Sequence, residues 1–278
     1  MFKGFYTVAS GMIAQQRKTE IITNNMANAN TPGYKADQST IRSFPDMLIS
    51  AIGNTNIPTE KNLNFQNAQE IGGLNTGVYL QETLANYGQG SLMQTNLTTD
   101  VALIDGTLPI DEESGNQGAI FFRLEHPNGG EAYTRNGNFT LDGQGYLVNG
   151  NGYYVLSNEG ERIYLPNDDF QVAEDGTITF ADVNVAQIGV SFSANPDVLV
   201  KQDNGLFRTI DGALLPSAYI QEGVAFGLKQ SYLEGSNVDA ARSMTDLLTA
   251  YRAFEANQKV LQAYDQSMQK AVNEIGKV

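Results

Sequence analysis

Few residues in this 278-residue chain could carry bond-making chemistry, and they stand far apart. The single histidine, His126, rules out metal sites that need two or three imidazoles, and a serine triad would have to depend on it alone. It lies between Glu125 and the Gly129-Gly130 turn, where a solvated imidazole is expected. Cysteine is absent, which excludes disulfides, thiol nucleophiles and thiolate metal sites. Gly143-x-Gly145 and Gly150-x-Gly152 lack the third glycine and the following helix of a dinucleotide fingerprint, so they are expected to be hairpin turns. No Gly-x-Ser-x-Gly and no phosphate loop occurs. The acid clusters Asp111-Glu112-Glu113 and Asp168-Asp169 lack the alternating oxygen-ligand spacing of a calcium loop and are expected on a solvated face. Paired carboxylates for glycoside hydrolysis are set by the fold, and among thirty-one acids nothing singles out a pair. The expectation is a non-enzymatic protein with no catalytic residue, cofactor or metal.

Charge narrows the partners. Seventeen basic against thirty-one acidic residues give −14, with no basic run, which argues against nucleic-acid phosphates and anionic lipid. No stretch reaches the roughly 18 apolar residues of a membrane span. Residues Met1 to Gly11 show no basic start, unbroken apolar core and small-residue cleavage site, so a cleaved leader is not expected.

The residues with a clear pattern are apolar, and they lie at the two ends. From Asn237 to Ile275, counted in sevens, one seam carries Met244, Tyr251, Gln258, Asp265 and Val272, and the other Leu247, Phe254, Leu261, Met268 and Ile275. Eight of these ten are apolar, which predicts an amphipathic helix. Ser236 with Asp239 predicts a capping box at its start, and Gly276 a left-handed cap at its end. Such a helix spans about 58 Å, longer than the roughly 45 Å of a domain built from the rest of the chain. Burying eight such side chains stabilises by roughly 12 to 24 kcal/mol, more than one body easily covers, so a partner surface is implied. A second amphipathic helix is predicted from Phe2 to Met26 through Phe2, Phe5, Tyr6, Ala9, Met12, Ile13, Ile22 and Met26, weakened by Gly4 and Gly11. The two sticky helices most simply pair with each other.

Between them the first helix should stop at Asn30-Thr31-Pro32-Gly33-Tyr34, since Pro32 disfavours helical geometry at Thr31 and Pro-Gly is the central pair of a type II turn. A short helix is predicted around Phe44 to Ile52, and an extended segment, ordered on contact, from Gly53 to Gly73. From about Gly77 to Leu228 short β-branched and aromatic runs alternate with Gly129-Gly130, Asn136-Gly137, Asp142-Gly143, Asn149-Gly150, Asn151-Gly152 and Asp175-Gly176, which predicts hairpins with left-handed glycines. The fold class is therefore α+β, with long N- and C-terminal α-helices forming a coiled helical tail and a β-rich central domain. The expected organisation is residues 1–35 as helix and turn, 36–75 as connector, 76–230 as β domain and 231–278 as C-terminal helix.

The block from Asn25 to Lys35, the opening Ser236-Asn237-Val238-Asp239, and Tyr251-Arg252-Ala253-Phe254-Glu255-Ala256-Asn257 resemble the bacterial flagellar rod and hook family, in its distal-rod type. Gln89 to Thr95, Tyr133 to Asp142 and Leu206-Phe207-Arg208 extend the resemblance over nearly the whole chain. It departs from the family at Thr107 to Gly118, an insertion before Ala119-Ile120-Phe121-Phe122. The resemblance implies a structural subunit of the flagellar basal body, exported by the flagellar type III apparatus without a cleaved signal peptide. Such a subunit would polymerise helically, with copies of itself and other rod and hook proteins, into the hollow drive shaft from motor to hook. The assembly interface would comprise Phe2, Phe5, Met12 and Ile13, the turn Asn30, Pro32, Gly33 and Tyr34, and the seam residues Met244, Leu247, Tyr251, Phe254, Leu261, Met268 and Ile275. A hook or hook-junction subunit, or a secreted wall-active enzyme with rod-like ends, are the alternatives.

Overall fold

The computed structural model describes residues 2–57, 63–111, 115–127 and 129–275, with side chains described for all of these except 2–3, 50–57, 63–70, 203 and 275. The protein is α+β: helices α1 (Phe2–Ala27) and α2 (Ala240–Lys270) flank a β-rich body. The chain divides into two units, one of Met1–Asn24, Gln38–Leu84 and Ala241–Val278, the other of Asn25–Asp37 and Ala85–Ala240.

In the first unit α1 and α2 run in opposite directions and meet where α1 has no side chain. A Cβ added at Gly4 would lie 2.2 Å from the Tyr264 hydroxyl, and one at Gly11 would lie 3.3 Å from Asn257 Nδ2. The two glycines that lower the helix propensity of α1 thus make room for side chains of α2, a tertiary reason that outweighs about 1 kcal/mol of local preference each. Ala14 of α1 and Ala250 of α2 are buried, each 2% exposed. Thr7 and Ser10 of α1 bind the chain entering the strand Val78–Ala85: Thr7 Oγ1 donates to Thr76 O at 3.2 Å, and Ser10 Oγ accepts from Val78 N at 3.2 Å.

The helix expected around Phe44 to Ile52 is not formed. Residues Met47–Ile57 are a strand, paired antiparallel with Leu63–Leu74 from Met47↔Leu74 to Ile57↔Leu63. A six-residue run such as Met47 to Ile52 fits either period, and a partner strand decides it. The segment Gly53 to Gly73 is therefore mostly hairpin, with residues 58–62 outside the described residues.

The second unit is centred on a five-stranded antiparallel sheet in the order Val190–Ser193, Ala119–Glu125, Glu131–Thr134, Phe207–Thr209, Leu199–Lys201. Both faces of its strand Ala119–Glu125 are covered. Ile120, Phe122 and Leu124 face the main core with Val101, Phe139, Val155 and Ile188, while Ala119 and Phe121 face a smaller cluster of Tyr133, Leu199 and Phe207. That is why Ala119-Ile120-Phe121-Phe122 is apolar without alternation.

The turns follow one chemistry. At Asp142–Gly145 and Asn149–Gly152 the first side chain accepts two backbone N–H groups, from Gln144 and Tyr146 and from Asn151 and Tyr153. The left-handed residues are the second glycines, Gly145 (φ 88°) and Gly152 (φ 82°), rather than Gly143 and Gly150. Gly137 is not left-handed either; a Cβ there would stand 1.6 Å from Val101 O, so close backbone approach requires it. His126 is half-buried rather than fully solvated, its ring stacked on Tyr153 at 6.4 Å. The insertion 107–118 folds back on itself through Gly118 N to Pro109 O at 3.0 Å and Asp111 N to Asn116 O at 2.9 Å, with Leu108 buried and residues 112–114 outside the described residues.

Candidate assembly site

The chain passes between its two units at four places, and in the second unit the residues beside these crossings are bonded to one another. After α1, Thr31-Pro32-Gly33-Tyr34 forms the expected type II turn, with Tyr34 N donating to Thr31 O at 3.3 Å and Gly33 at φ 68°. A Cβ at Gly33 would lie 2.5 Å from the backbone of Arg135 and Asn136, and Gly33 N donates to Glu234 O at 2.8 Å. The turn is pressed into the body of the unit, where it delivers Tyr34 and Lys35, both buried.

Lys35 Nζ lies 2.8 Å from Glu234 Oε1, with the two side chains 1% and 0% exposed. Glu234 Oε2 accepts from Arg135 Nε at 2.8 Å, and Arg135 reaches Asp105 through both terminal nitrogens, at 2.8 and 3.0 Å. Gly90 N, Gly88 O and Ile120 O complete the hydrogen bonds of this quartet. Its formal charges cancel. Burial, followed by the nearby Arg135 guanidinium, pushes the Lys35 ammonium down to about 8 despite its bond to Glu234. Burial opposes ionisation of Glu234 as well, but Arg135 and Lys35 together outweigh it and hold the carboxyl below the usual range.

Two asparagines fasten the crossings around the quartet. Asn25 Oδ1 accepts from Asp37 N at 2.9 Å and from the Tyr34 hydroxyl at 3.0 Å, while its Nδ2 donates to Asp37 O at 2.8 Å. Asn237 Oδ1 accepts from Ala36 N at 2.7 Å, and its Nδ2 donates to Asn86 O and Gly88 O at 2.7 and 3.0 Å. Lys201 Nζ bonds Asp37 and Lys35 O and sits 3.9 Å from the Tyr34 ring centre. This arrangement corrects the start of the C-terminal helix. Because Asn237 is held by three backbone groups it stays outside α2, which begins at Ala240, and Ser236 Oγ accepts from Val238 N rather than capping the helix. The helix gives way to a π turn at Ala271–Ile275, and Gly276 lies outside the described residues.

The expected interface residues fall into three groups. Gly33 and Tyr34 are buried in the second unit, beside half-buried Pro32 and exposed Asn30. On α2, Leu247, Phe254, Leu261 and Met268 are half-buried, whereas Met244 (47%), Tyr251 (56%) and Val272 (71%) are exposed. Phe5 and Met12 of α1 are half-buried and Ile13 is 53% exposed; the side chains of Phe2 and Ile275 lie outside the described ones. Sequence reasoning assigned no role to Asn25, Lys35, Asp105, Arg135, Glu234 or Asn237. A signal was present: Asn25, Lys35, Arg135 and Asn237 all stand inside the blocks that carry the family resemblance.

Comparison with known proteins agrees with this organisation. Residues 5–35 match the family model described as flagella basal body rod protein, 117–180 the flagellar hook protein FlgE/F/G D1 domain, and 229–274 the flagellar basal body rod FlgEFG protein C-terminal model. The chain is 44% identical to the flagellar hook-basal body complex protein FlhO of Bacillus subtilis, over the full length of both. It is 32% identical to the flagellar basal-body rod protein FlgG of that organism, covering 98% of this chain and 99% of the relative. With the FlgG of Agrobacterium fabrum it shares 34% identity over 93% and 94% of the two chains. The segments that make the buried clasp, at Asn25 to Lys35 and Glu234 to Asn237, lie in or overlap the two terminal matches, and the chain belongs to the flagellar basal-body rod and hook protein family.

Proposed function

We propose that this protein is a structural subunit of the flagellar rod and hook assembly, polymerising through its terminal helices into the hollow shaft that carries torque. The family consists of structural rod and hook proteins of the flagellar basal body. The observation that carries the polymer reading is the outward stripe of α2, where Met244, Leu248 and Tyr251 stand at i, i+4 and i+7 with 47%, 47% and 56% exposure. The adjacent stripe, Leu247, Ala250, Phe254 and Leu261, about a quarter-turn round the helix, is covered to different degrees within the protein. One helix thus offers an inner seam to its own chain and an outer one to neighbouring copies, a heterologous contact that extends rather than closes. In this reading Phe5, Met12 and Ile13 of α1, with Phe2, Met268 and Ile275, contribute to the same helical tail. Export proceeds through the flagellar apparatus, and the partners are other rod and hook subunits.

Replacing Met244 and Tyr251 by aspartate tests this. The exposed positions should leave the monomer folded while the variant fails to enter isolated hook-basal bodies and motility is lost; normal incorporation would reject the reading. A hook or hook-junction place is favoured by one observation, the 44% identity to a relative named for the hook-basal body complex. Cryo-electron microscopy of basal bodies carrying a tagged chain separates the two by the tag's position relative to the rod tip. A wall-active enzyme fits less well, because Glu234, the most deeply buried carboxylate of the quartet, is held ionised by Lys35 and Arg135 instead of being poised to donate a proton.

A further inference from the structure

Three short extended segments of the second unit, joined by the bridges Tyr146↔Tyr164, Val148↔Tyr154 and Leu156↔Arg162, form one layer over the main core. Alternation along them is partial, because Val148 and Leu156, each 6% exposed, are buried beside their inward neighbours. Leu147, Val155, Ile163 and Leu165 point inward and are 0–1% exposed, so Tyr146, Tyr154, Arg162 and Tyr164 point outward. Outward strand positions ordinarily carry polar side chains, yet here three of these four are tyrosines. Their rings touch edge to face, Tyr146 with Tyr154 at 5.8 Å and Tyr146 with Tyr164 at 5.6 Å, and the Arg162 guanidinium lies 4.1 Å above the Tyr154 ring. Arg162 is itself fixed by two bonds to Glu125, at 2.6 and 2.9 Å.

The hydroxyls separate these tyrosines from the structural ones. Tyr34, Tyr87, Tyr133 and Tyr219 each donate to an acceptor within the unit. Among the described residues no hydrogen bond engages the hydroxyls of Tyr146, Tyr154 or Tyr164, and the Tyr164 side chain stands 51% exposed. Hollows of about 680 and 330 Å³ flank the row, sharing Glu161 and Arg162 as a wall, with Tyr146 lining the first and Tyr164, Asn158 and Gln187 the second.

We propose that this tyrosine row binds a neutral saccharide chain. Flat ring faces match the C–H face of a pyranose, and the hydroxyl, amide, carboxylate and guanidinium groups between them match its rim of hydroxyls. Aliphatic side chains are confined to the flanks, Leu156 and Leu214 in the larger hollow and Val185 and Ala186 in the smaller, while the row between them is aromatic and polar. Charge selects within the saccharides: Glu125, Glu159 and Glu161 beside Arg162, in a chain of net charge −14, oppose a polyanion.

The protein contains no tryptophan, so its emission comes from thirteen tyrosines, three of them in the row, and comparison with Tyr164→Ala assigns the row's share of any change. Cellohexaose and chitohexaose are the probes, with polygalacturonate and hexalysine as comparators. We expect saturable binding of at least one neutral hexasaccharide, perturbed ring resonances of Tyr146, Tyr154 and Tyr164, and about tenfold weaker binding in Tyr164→Ala with an unchanged melting temperature. Tyr146→Ala should act in the same direction, and the wild-type resonance map stands if that variant folds poorly. The proposal is overturned by no saturable response to either sugar up to about 10 mM, by binding that survives Tyr164→Ala and leaves the ring resonances unmoved, or by hexalysine binding tighter than both sugars.

Discussion

Lys35 and Glu234 are 199 positions apart in the chain and 2.8 Å apart in the fold, with neither side chain reaching solvent by more than 1%. Removing one partner of such a pair leaves the other charge buried and uncompensated, and Glu234 serves two cations. Glu234→Ala should therefore lower the unfolding free energy by about 3–5 kcal/mol, and Glu234→Gln by less because it keeps part of the hydrogen bonding. Urea titration followed by circular dichroism measures both; a loss below about 1 kcal/mol for Glu234→Ala would contradict the buried geometry.

The position of the Lys35 titration gives an alkaline signature. Its folded value, about 8, lies below its ordinary 10.5, so between these limits the unfolded chain binds more protons than the folded one. Stability contributed through Lys35 accordingly rises as pH increases from 8 toward 10.5, by up to about 3 kcal/mol, and the penalty of holding the ammonium is fully present below pH 8. The buried tyrosines Tyr34, Tyr87, Tyr133 and Tyr219 act oppositely above pH 10, because burial raises them and the folded state then holds the extra protons. Urea midpoints at pH 7.5, 8.5 and 9.5 for the wild type and Lys35→Met isolate the effect as a rise present only in the former.

Glycines of equal local freedom should respond unequally to alanine. Gly33→Ala meets both a left-handed φ of 68° and a carbon–backbone distance of 2.5 Å, and a loss of about 2–4 kcal/mol is expected. Gly143 has open space around its would-be Cβ, so Gly143→Ala should stay within about 0.5 kcal/mol. Thermal scans of the two variants decide it; equal shifts would show that the turn at Gly33 is free to move away from Arg135.

Asn237 joins three backbone groups from two other stretches of the chain. Asn237→Ala should cost about 1–3 kcal/mol and, more specifically, speed hydrogen exchange at the Ala36 amide, whose acceptor is lost. Exchange at the Leu124 amide, deep in the sheet, should change only by the global loss. Mass-spectrometric exchange on the two variants Asn237→Ala and Asn237→Asp compares loss of both functions with loss of the donor alone.

The legible part of the fold was the local part. Helix period at both ends, the Pro32-Gly33 turn and most of the central strands follow from the spacing of side chains along a few consecutive residues. Met47–Ile57 was misassigned because its partner strand, which settles the period, begins at Leu63. The helix start was placed early because Ser236 and Asp239 satisfy a capping pattern locally, while Asn237 is claimed by Ala36, Asn86 and Gly88 from far away. Gly4 and Gly11 counted against α1 until Tyr264 and Asn257 supplied their reason.

By itself, then, the order of residues determined which segments are sticky, which turn sharply, and, through its resemblance, the flagellar family. Only the tertiary structure decided which charges are buried together, which seam of α2 is left outside, and which tyrosines keep free hydroxyls. The division has one physical cause. Backbone preference and amphipathicity are properties of neighbours in sequence, whereas desolvation, which makes Lys35, Glu234 and Arg135 depend on one another, is a property of neighbours in space.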